Sequence, residues 1–448
     1  MNDQRDKTLP HEGRHRVSSH RPSRSSRGAV REPVRHGQLH SKRPWATIAK
    51  FVVAIVAVAC VGGASIVAIA AWDIARLGKP GIHIEHIPGA AGATGDAVTA
   101  IDGEVNLLLA GTDTRTGQGG VFESKDELAG SSGVGKNDVT MLLHISADHS
   151  NATVVSFPRD MVIPIPSCTA PDGKTTPASK GAMMNTTLIR GDLSCTVRTV
   201  ETLTGVHIPF AAKITLEGVT AMSNAIGGVT VCLATPIVER HTNPPLNLAA
   251  GPQTLEGAEA LSFLRSRYGV GDGSDLGRIS NQQVFLSALV RKVKSAGVLG
   301  NPLALYPLAK AAVSNMQFSD TLTDPTTWVK IGLALKSIDL SRLVFVQYPT
   351  VPNPRDPNRV IPDTVNAGAV NLALRTDQPL QLTGKPGEAA VLDPNAPSAS
   401  PTPTEVPSAS PSPGTSSSPS PSTPTTVTLP PTVTGQTAAE QTCTKKNR

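Results

Sequence analysis

Three arginines and a glutamine in the stretch AEALSFLRSRYGVGDGSDLGRISNQQ, residues 258–283, could together hold a multiply charged anion. Arg265 and Arg267 stand two apart in a run that reads as extended, which on a strand aims both side chains at one face. A Gly-rich turn with Asp272 and Asp275 follows. Arg278 then opens a helical pattern that carries Gln282 one turn further along the same face. A guanidinium presents a planar fork that matches phosphate oxygens bidentately, so phosphate or pyrophosphate is the ligand this convergence suits. The plainer alternative is a set of surface arginines paired with Glu259, Asp272 and Asp275.

Three earlier segments add charged groups where strands should end. An apolar run at 104–110 leads into Asp113 and Arg115. Lys136 and Asp138 precede a second apolar run at 139–145, and a third at 152–157 leads into Arg159 and Asp160. Ligands of α/β folds collect at such strand ends. The carboxylates of Asp113 and Asp138 suit a hard divalent cation such as Mg²⁺, which takes one or two carboxylates and fills its shell with water and phosphate oxygens. Phosphoryl transfer asks for positioning and charge stabilisation, which arginines and Mg²⁺ supply. No P-loop, HExxH or GxSxG motif is present, so the common NTPase, zinc-protease and α/β-hydrolase readings lack support. His144 and His207 read as structural.

Strand-like and helical patterns alternate from residue 104 to about 383, which predicts an α/β fold with a mixed central sheet sandwiched by helices. The ends differ in kind. Residues 1–45 carry eleven Lys and Arg against four Asp and Glu, so the formal charge of +6 resides in this tail. Residues 51–71 are an uncharged apolar run flanked by Trp45 and Trp72, long enough to span a bilayer as a helix. The expected organisation is therefore a basic disordered cytoplasmic tail (1–45), a transmembrane signal-anchor (46–72), a juxtamembrane linker (73–103), an extracytoplasmic domain (104–383) and a Pro/Ser/Thr-rich disordered tail (384–448). Aromatic residues are only 3% of the chain, which argues against nucleic acid as a partner. Of five cysteines, Cys168 and Cys195 flank one loop-rich segment and are the first choice for a disulfide; Cys232 is an alternative partner for either, and Cys443 has no assigned role.

The succession NLLLAGTDTR, KNDVTMLLHIS, VVSFPRDMVIPIP, TVETLTG, GVTVCL and ALSFLRSRYGVGDGSDLGRISNQQ resembles the LytR-CpsA-Psr family of cell-wall enzymes, densely over about 104–295 and loosely to about 382. The resemblance implies an enzyme that moves an anionic glycopolymer from a polyprenyl-pyrophosphate carrier to the 6-hydroxyl of N-acetylmuramic acid in peptidoglycan, leaving a phosphodiester. It implies Mg²⁺ on Asp113 and Asp138 and pyrophosphate on Arg159, Arg265, Arg267 and Arg278, with Gln282 beside it. Asp160 and Asp275 would orient arginines, Arg115 and Lys136 would add charge, and the lipid would lie in an apolar tunnel near Val284, Phe285 and Leu286. Three positions depart from the family pattern: Lys136 and Asn281 stand where arginine is frequent, and Met183 where lysine is. A non-catalytic polyprenyl-phosphate binder and a pyrophosphate hydrolase are the rival readings.

Overall fold

A computed structural model describes residues 73, 76–86, 101–116, 133–295, 302–396 and 426–447. The expected membrane span and basic tail lie outside these residues, among which no helix is long and apolar enough to cross a membrane.

The apolar run after Glu104 forms β1 (Val105–Thr112), joined in an antiparallel meander to β2 (Asn137–Ile145) and β3 (Ala152–Phe157). Helix α1 (Thr187–Thr204) precedes β4 (Phe210–Ile214), and α2 (Leu216–Ala225) precedes the pair β5 (Val229–Leu233) and β6 (Gly251–Leu255). Then come α3 (Gly257–Arg265), α4 (Asp275–Ser295), α5 (Pro302–Asn315), β7 (Met316–Phe318), α6 (Pro325–Ser337), β8 (Leu343–Gln347) and α7 (Thr364–Arg375). The chain ends in β9 (Ala390–Leu392), β10 (Gly435–Thr437) and β11 (Thr442–Thr444).

The central sheet is mixed, in the order β7-β4-β1-β2-β3-β8-β10, with β4 parallel to β1 and β8 parallel to β3. Its central strands are apolar on both faces because both are covered. On β1, Leu108 and Ala110 pack with Val197 and Val200 of α1 and Val370 and Leu374 of α7. Leu107 and Leu109 face the other way, toward Leu286 and Val290 of α4 and Ile331 of α6. The sandwich expected from the alternation is therefore present. A smaller sheet, β6-β5-β11-β9, packs on the far side of α4 through Val231, Phe263 and Phe285. Helix α4 is wedged between the two sheets, which explains why its first three turns are buried almost without interruption.

Two expectations are corrected. Residues 384–396 and 426–447 are not a disordered tail: β10 extends the central sheet along β8, and β11 enters the smaller sheet between β5 and β9. Averaged composition hid this. Leu429, Val433, Ala438 and Cys443 supply buried apolar side chains that the Pro/Ser/Thr stretch lacks, while residues 397–425 lie outside the described set. The run holding Arg265 is also not a strand. Ala260, Leu261, Phe263 and Leu264 recur at helical spacing and pack inward, so Arg265 ends α3 and the backbone becomes extended only at Ser266.

Cysteines pair as Cys168–Cys195 and Cys232–Cys443. The first pins the loop after β3 to α1 where Gly191 and Asp192 interrupt the helical dihedrals; a Cβ on Gly191 would lie 2.7 Å from that of Cys168. The second was not foreseen, and it staples β11 to β5 across 211 residues.

Candidate active site

Antiparallel pairing of β1, β2 and β3 brings the end of β1, the start of β2 and the end of β3 to one edge of the sheet. There the Lys136 N–H donates to Asp113 Oδ1 at 2.5 Å, and the Asp113 N–H to the Lys136 carbonyl at 3.1 Å. Asp138 is the second residue of β2, and Pro158-Arg159-Asp160 follows β3. The six charged residues read from the strand ends thus share one rim, Arg115 among them.

The start of α4 ties this rim together. Asp275 accepts from Arg278 Nη2 at 2.6 Å through one oxygen and from the Arg159 N–H at 3.0 Å through the other. Arg278 Nη2 also donates to the Asp138 carbonyl at 2.9 Å, and Arg159 Nη1 sits 2.5 Å from Asp138 Oδ1. An acidic residue in a helix's first turn is favoured by the helix dipole, and Asp275 serves there as a bracket between two arginines. Asp160 lies 3.8 Å from both Arg159 Nε and Arg267 Nη2.

Positive charge is crowded here. Burial pushes the Arg265 guanidinium below the usual arginine range, and Arg278 and Arg159 push the same way against partial relief from Asp138 and Asp113. Burial, then Arg265 itself, lowers Arg115 likewise. Burial would raise the Asp138 carboxyl, but Arg278 and Arg159 overcome it and hold the group below its usual value. The Nε atoms of Arg159, Arg267 and Arg278 are buried and make no hydrogen bond. Buried donors left open cost about 1–3 kcal/mol each, a cost an anion would remove.

Glu239 sets the path of the chain between Arg265 and Gly269. Its buried carboxylate accepts from Ser266 Oγ, the Arg267 N–H and the Gly269 N–H at 3.0, 3.1 and 2.9 Å, and from the His241 N–H at 3.0 Å. Burial alone would raise its pKa, but the backbone donors at His241, Gly269 and Arg267 bring it down to about 2. The segment after β11 fixes the same loop from outside. The Gly271 N–H donates to the Lys445 carbonyl at 3.2 Å, and the Asn447 N–H to the Gly269 carbonyl at 3.2 Å. Gly271 has φ +62° with Ala389 packed on it, so a side chain there would strain the loop and collide.

Three cavities meet at this rim. A cavity of about 420 Å³ runs between the central sheet and helices α2, α3 and α4, with a nearly wholly apolar lining that includes Met141, Met222, Leu261, Phe285 and Leu286. Asp138, Arg265 and Arg278 close one part of it, and these same three residues line a second cavity of about 180 Å³. Arg159 and Arg267 line that second cavity and also an open cleft of about 740 Å³. A greasy channel, a guanidinium-lined gate and an open polar cleft therefore lie side by side, each sharing wall residues with the next.

Most of the residues singled out in the sequence line these cavities. Gln282 lies at the channel wall, but its Nε2 donates to the Leu264 carbonyl at 3.0 Å and so caps α3. Asn281 is fully buried away from the gate. It donates to the Phe263 carbonyl at 2.7 Å and accepts from Thr444 Oγ1 at 2.9 Å, so it carries a structural link. Met183 lines the open cleft. Sequence reasoning missed Glu239, Asn185 and Arg359. An isolated acid in the apolar context PIVER was a faint signal for the first. Nothing local marks Arg359, whose Nη1 reaches Asp160 Oδ1 at 3.3 Å from the hairpin Thr350–Asn353/Asp356–Pro362.

Comparison with known proteins bears on this geometry. The profile of the LytR_cpsA_psr family matches residues 88–376. The chain belongs to the LytR-CpsA-Psr family. The matched span includes both the arginine gate and the apolar channel. Among relatives of this family member, the cell wall biosynthesis protein LcpA of Corynebacterium glutamicum is 32% identical over 236 residues, 48% of this chain and 45% of LcpA. The polyisoprenyl-teichoic acid–peptidoglycan teichoic acid transferase TagT of Bacillus subtilis is 26% identical over 247 residues, 54% of this chain and 68% of TagT. The alignment spans about half the length of the corynebacterial relatives. Among solved structures, a LytR-Csp2A-Psr enzyme from Actinomyces oris aligns with 66% of this chain and 96% of its own, at 19% identity and TM-score 0.46.

Proposed function

We propose that this protein transfers an anionic glycopolymer from a polyprenyl-pyrophosphate carrier to peptidoglycan, at the 6-hydroxyl of N-acetylmuramic acid. The observation that carries the reading is the apolar channel lying directly against the arginine gate, with Asp138, Arg265 and Arg278 in the walls of both, because a lipid pyrophosphate is long and greasy at one end and densely anionic at the other. Relatives named for cell wall biosynthesis and for teichoic acid transfer to peptidoglycan support it.

In this reading the acceptor hydroxyl oxygen attacks the phosphorus that bears the glycan. A new P–O bond forms, the bond to the bridging oxygen breaks, polyprenyl phosphate leaves with the electron pair, and the hydroxyl proton ends on that departing phosphate. Arg265 and Arg278, at the junction of channel and gate, face the leaving phosphate. Arg159 and Arg267, at the junction of gate and cleft, face the phosphoryl group in transfer. Fixed donors that await charge need no reorganisation as the bond breaks. Asp275 and Asp160 hold these arginines in place. Asp113 and Asp138 are hard oxygen donors at neighbouring strand ends, both acting on Arg115 and Arg265, and this set fits Mg²⁺. Bound there, Mg²⁺ would neutralise charge on the pyrophosphate. The apolar run at 51–71 would anchor the chain with its basic tail in the cytoplasm and the folded domain outside, confining enzyme and lipid to one surface.

The test is transfer by the full-length protein from a polyprenyl-pyrophosphate glycan to an uncrosslinked peptidoglycan oligomer with and without Mg²⁺, read by mass spectrometry. A glycan phosphodiester on the acceptor, lost in Arg265→Ala, is expected. Free glycan phosphate without acceptor product would identify a hydrolase, and lipid binding without turnover would identify a binder; either would sink the transferase.

A further inference from the structure

The open cleft contains two groups that the gate and channel do not use. Asn185 is 7% exposed, its carboxamide oxygen makes no hydrogen bond, and it lines the cleft but neither of the other cavities. A buried amide oxygen without a donor is an uncommon cost, since such atoms normally find partners. Arg359 lines the cleft from the hairpin Thr350–Asn353/Asp356–Pro362, about one-third exposed, with Nη1 3.3 Å from Asp160 Oδ1 and Nε 3.8 Å from Asp356 Oδ2. That hairpin is part of the wall. Its Val360 bridges Met161, and the Val360 N–H donates to the Asp160 carbonyl at 3.4 Å. Asn185 is fixed as firmly, because its own N–H donates to the Arg159 carbonyl at 3.0 Å. Both groups are thus built onto the backbone of Arg159, Asp160 and Met161, on the side of the gate away from the channel.

On the proposed transfer reaction, lipid and pyrophosphate occupy the channel and gate. An in-line attack must then enter from the cleft. Its walls combine cations and carboxylates, Arg359 and Asp272 among them, with an open acceptor atom and the prolines at 158, 352 and 357, a surface suited to a sugar with hydroxyl and amide groups that carries a charged peptide. We propose that the open cleft is the acceptor subsite, where Arg359 pairs with a carboxylate of the stem peptide and the Asn185 oxygen accepts from a hydroxyl or amide hydrogen of the amino sugar that carries it. Arg359 then determines acceptor affinity and lies outside the donor site.

The test titrates the full-length protein with a soluble disaccharide-pentapeptide fragment of peptidoglycan and, separately, with inorganic pyrophosphate and Mg²⁺, by calorimetry. Arg359→Ala should weaken the fragment at least tenfold, Arg359→Lys should restore part of the loss, and Asn185→Ala should weaken it several-fold. All three should bind pyrophosphate as the wild type does, whereas Arg265→Ala should not. Arg359 is about one-third exposed, so its replacement leaves the core intact, and a thermal melt checks this. Equal fragment affinity in wild type and Arg359→Ala overturns the acceptor assignment, as does loss of pyrophosphate binding in that variant. Pyrophosphate binding by the wild type without fragment binding would sink this inference alone. Absence of both would sink the transfer reading beneath it.

Discussion

Thr444 Oγ1 donates to Asn281 Oδ1 at 2.9 Å, joining a residue near the end of the chain to the turn of α4 that follows Arg278. Asn281 passes the link on to the Phe263 carbonyl, two residues before Arg265. Asparagine at a position where the family frequently has arginine is therefore not a weakened cation. It belongs to the brace behind the gate. Thr444→Val should leave the Asn281 oxygen buried and unpaired, at a cost of about 1–3 kcal/mol, with donor affinity falling less than in any gate-arginine variant. Denaturant unfolding and pyrophosphate titration measure the two effects.

Arg265 and Arg278 should respond in opposite ways to truncation. Arg278 neutralises Asp275 and supports Asp138, so Arg278→Ala strands buried carboxylate charge and should cost about 3–5 kcal/mol. Arg265 is crowded by other cations, so Arg265→Ala should leave stability unchanged or raise it while abolishing pyrophosphate binding. Melting curves with and without pyrophosphate separate the two. A large loss of stability in Arg265→Ala would show that the gate is balanced without its ligand.

Glu239 gives the fold an acid-sensitive hinge. Its folded value of about 2 lies below the ordinary 4.5, so its contribution is fully present above pH ~4.5 and declines as pH falls toward 2. Glu239→Gln should lower stability at neutral pH and flatten the acid limb between these values. Equilibrium unfolding from pH 2 to 7 shows this as a smaller slope than in the wild type.

The channel should discriminate by lipid length. Met222→Trp places a large ring in an apolar cavity of about 420 Å³. It should weaken long polyprenyl phosphates roughly tenfold or more while inorganic pyrophosphate binds unchanged, because each buried CH₂ contributes about 0.8 kcal/mol. A series of chain lengths titrated against both proteins gives the dependence.

Reduction tests the second disulfide. Cys443→Ser removes the covalent tie between β11 and β5, leaving their backbone pairing, and should cost about 2–5 kcal/mol of stability. The loop 267–273, which the adjoining residues 445 and 447 hold, should lose protection from hydrogen exchange.

What could be read from the sequence depended on the range of the causes. Periodicity marked the strands that carry Asp113, Asp138 and Arg159, because two-faced burial leaves continuous apolar runs. The gate arginines were visible because guanidiniums and carboxylates clustered within short segments. The helix ending at Arg265 reads as a strand when the two-residue spacing of Arg265 and Arg267 is set above the helical spacing of Ala260, Leu261 and Leu264 before them. Arg359 was invisible for a different reason. Its partner Asp160 is 199 positions away, and a lone arginine in a Pro- and Asn-rich hairpin has no local pattern. The ordered segment around Cys443 was lost because a long Pro/Ser/Thr stretch precedes it and dominated the composition.

The pairing of β11 with β5 has a consequence for how the gate is held. Residues 445 and 447, which hold the Arg267–Gly273 loop, are made some 170 residues after that loop, and their contacts close over a very long stretch of chain. The anion grip proposed for the gate thus rests on contacts of very high sequence separation, and a chain cut short before residue 445 should hold its arginines in a loop that has lost this outer support.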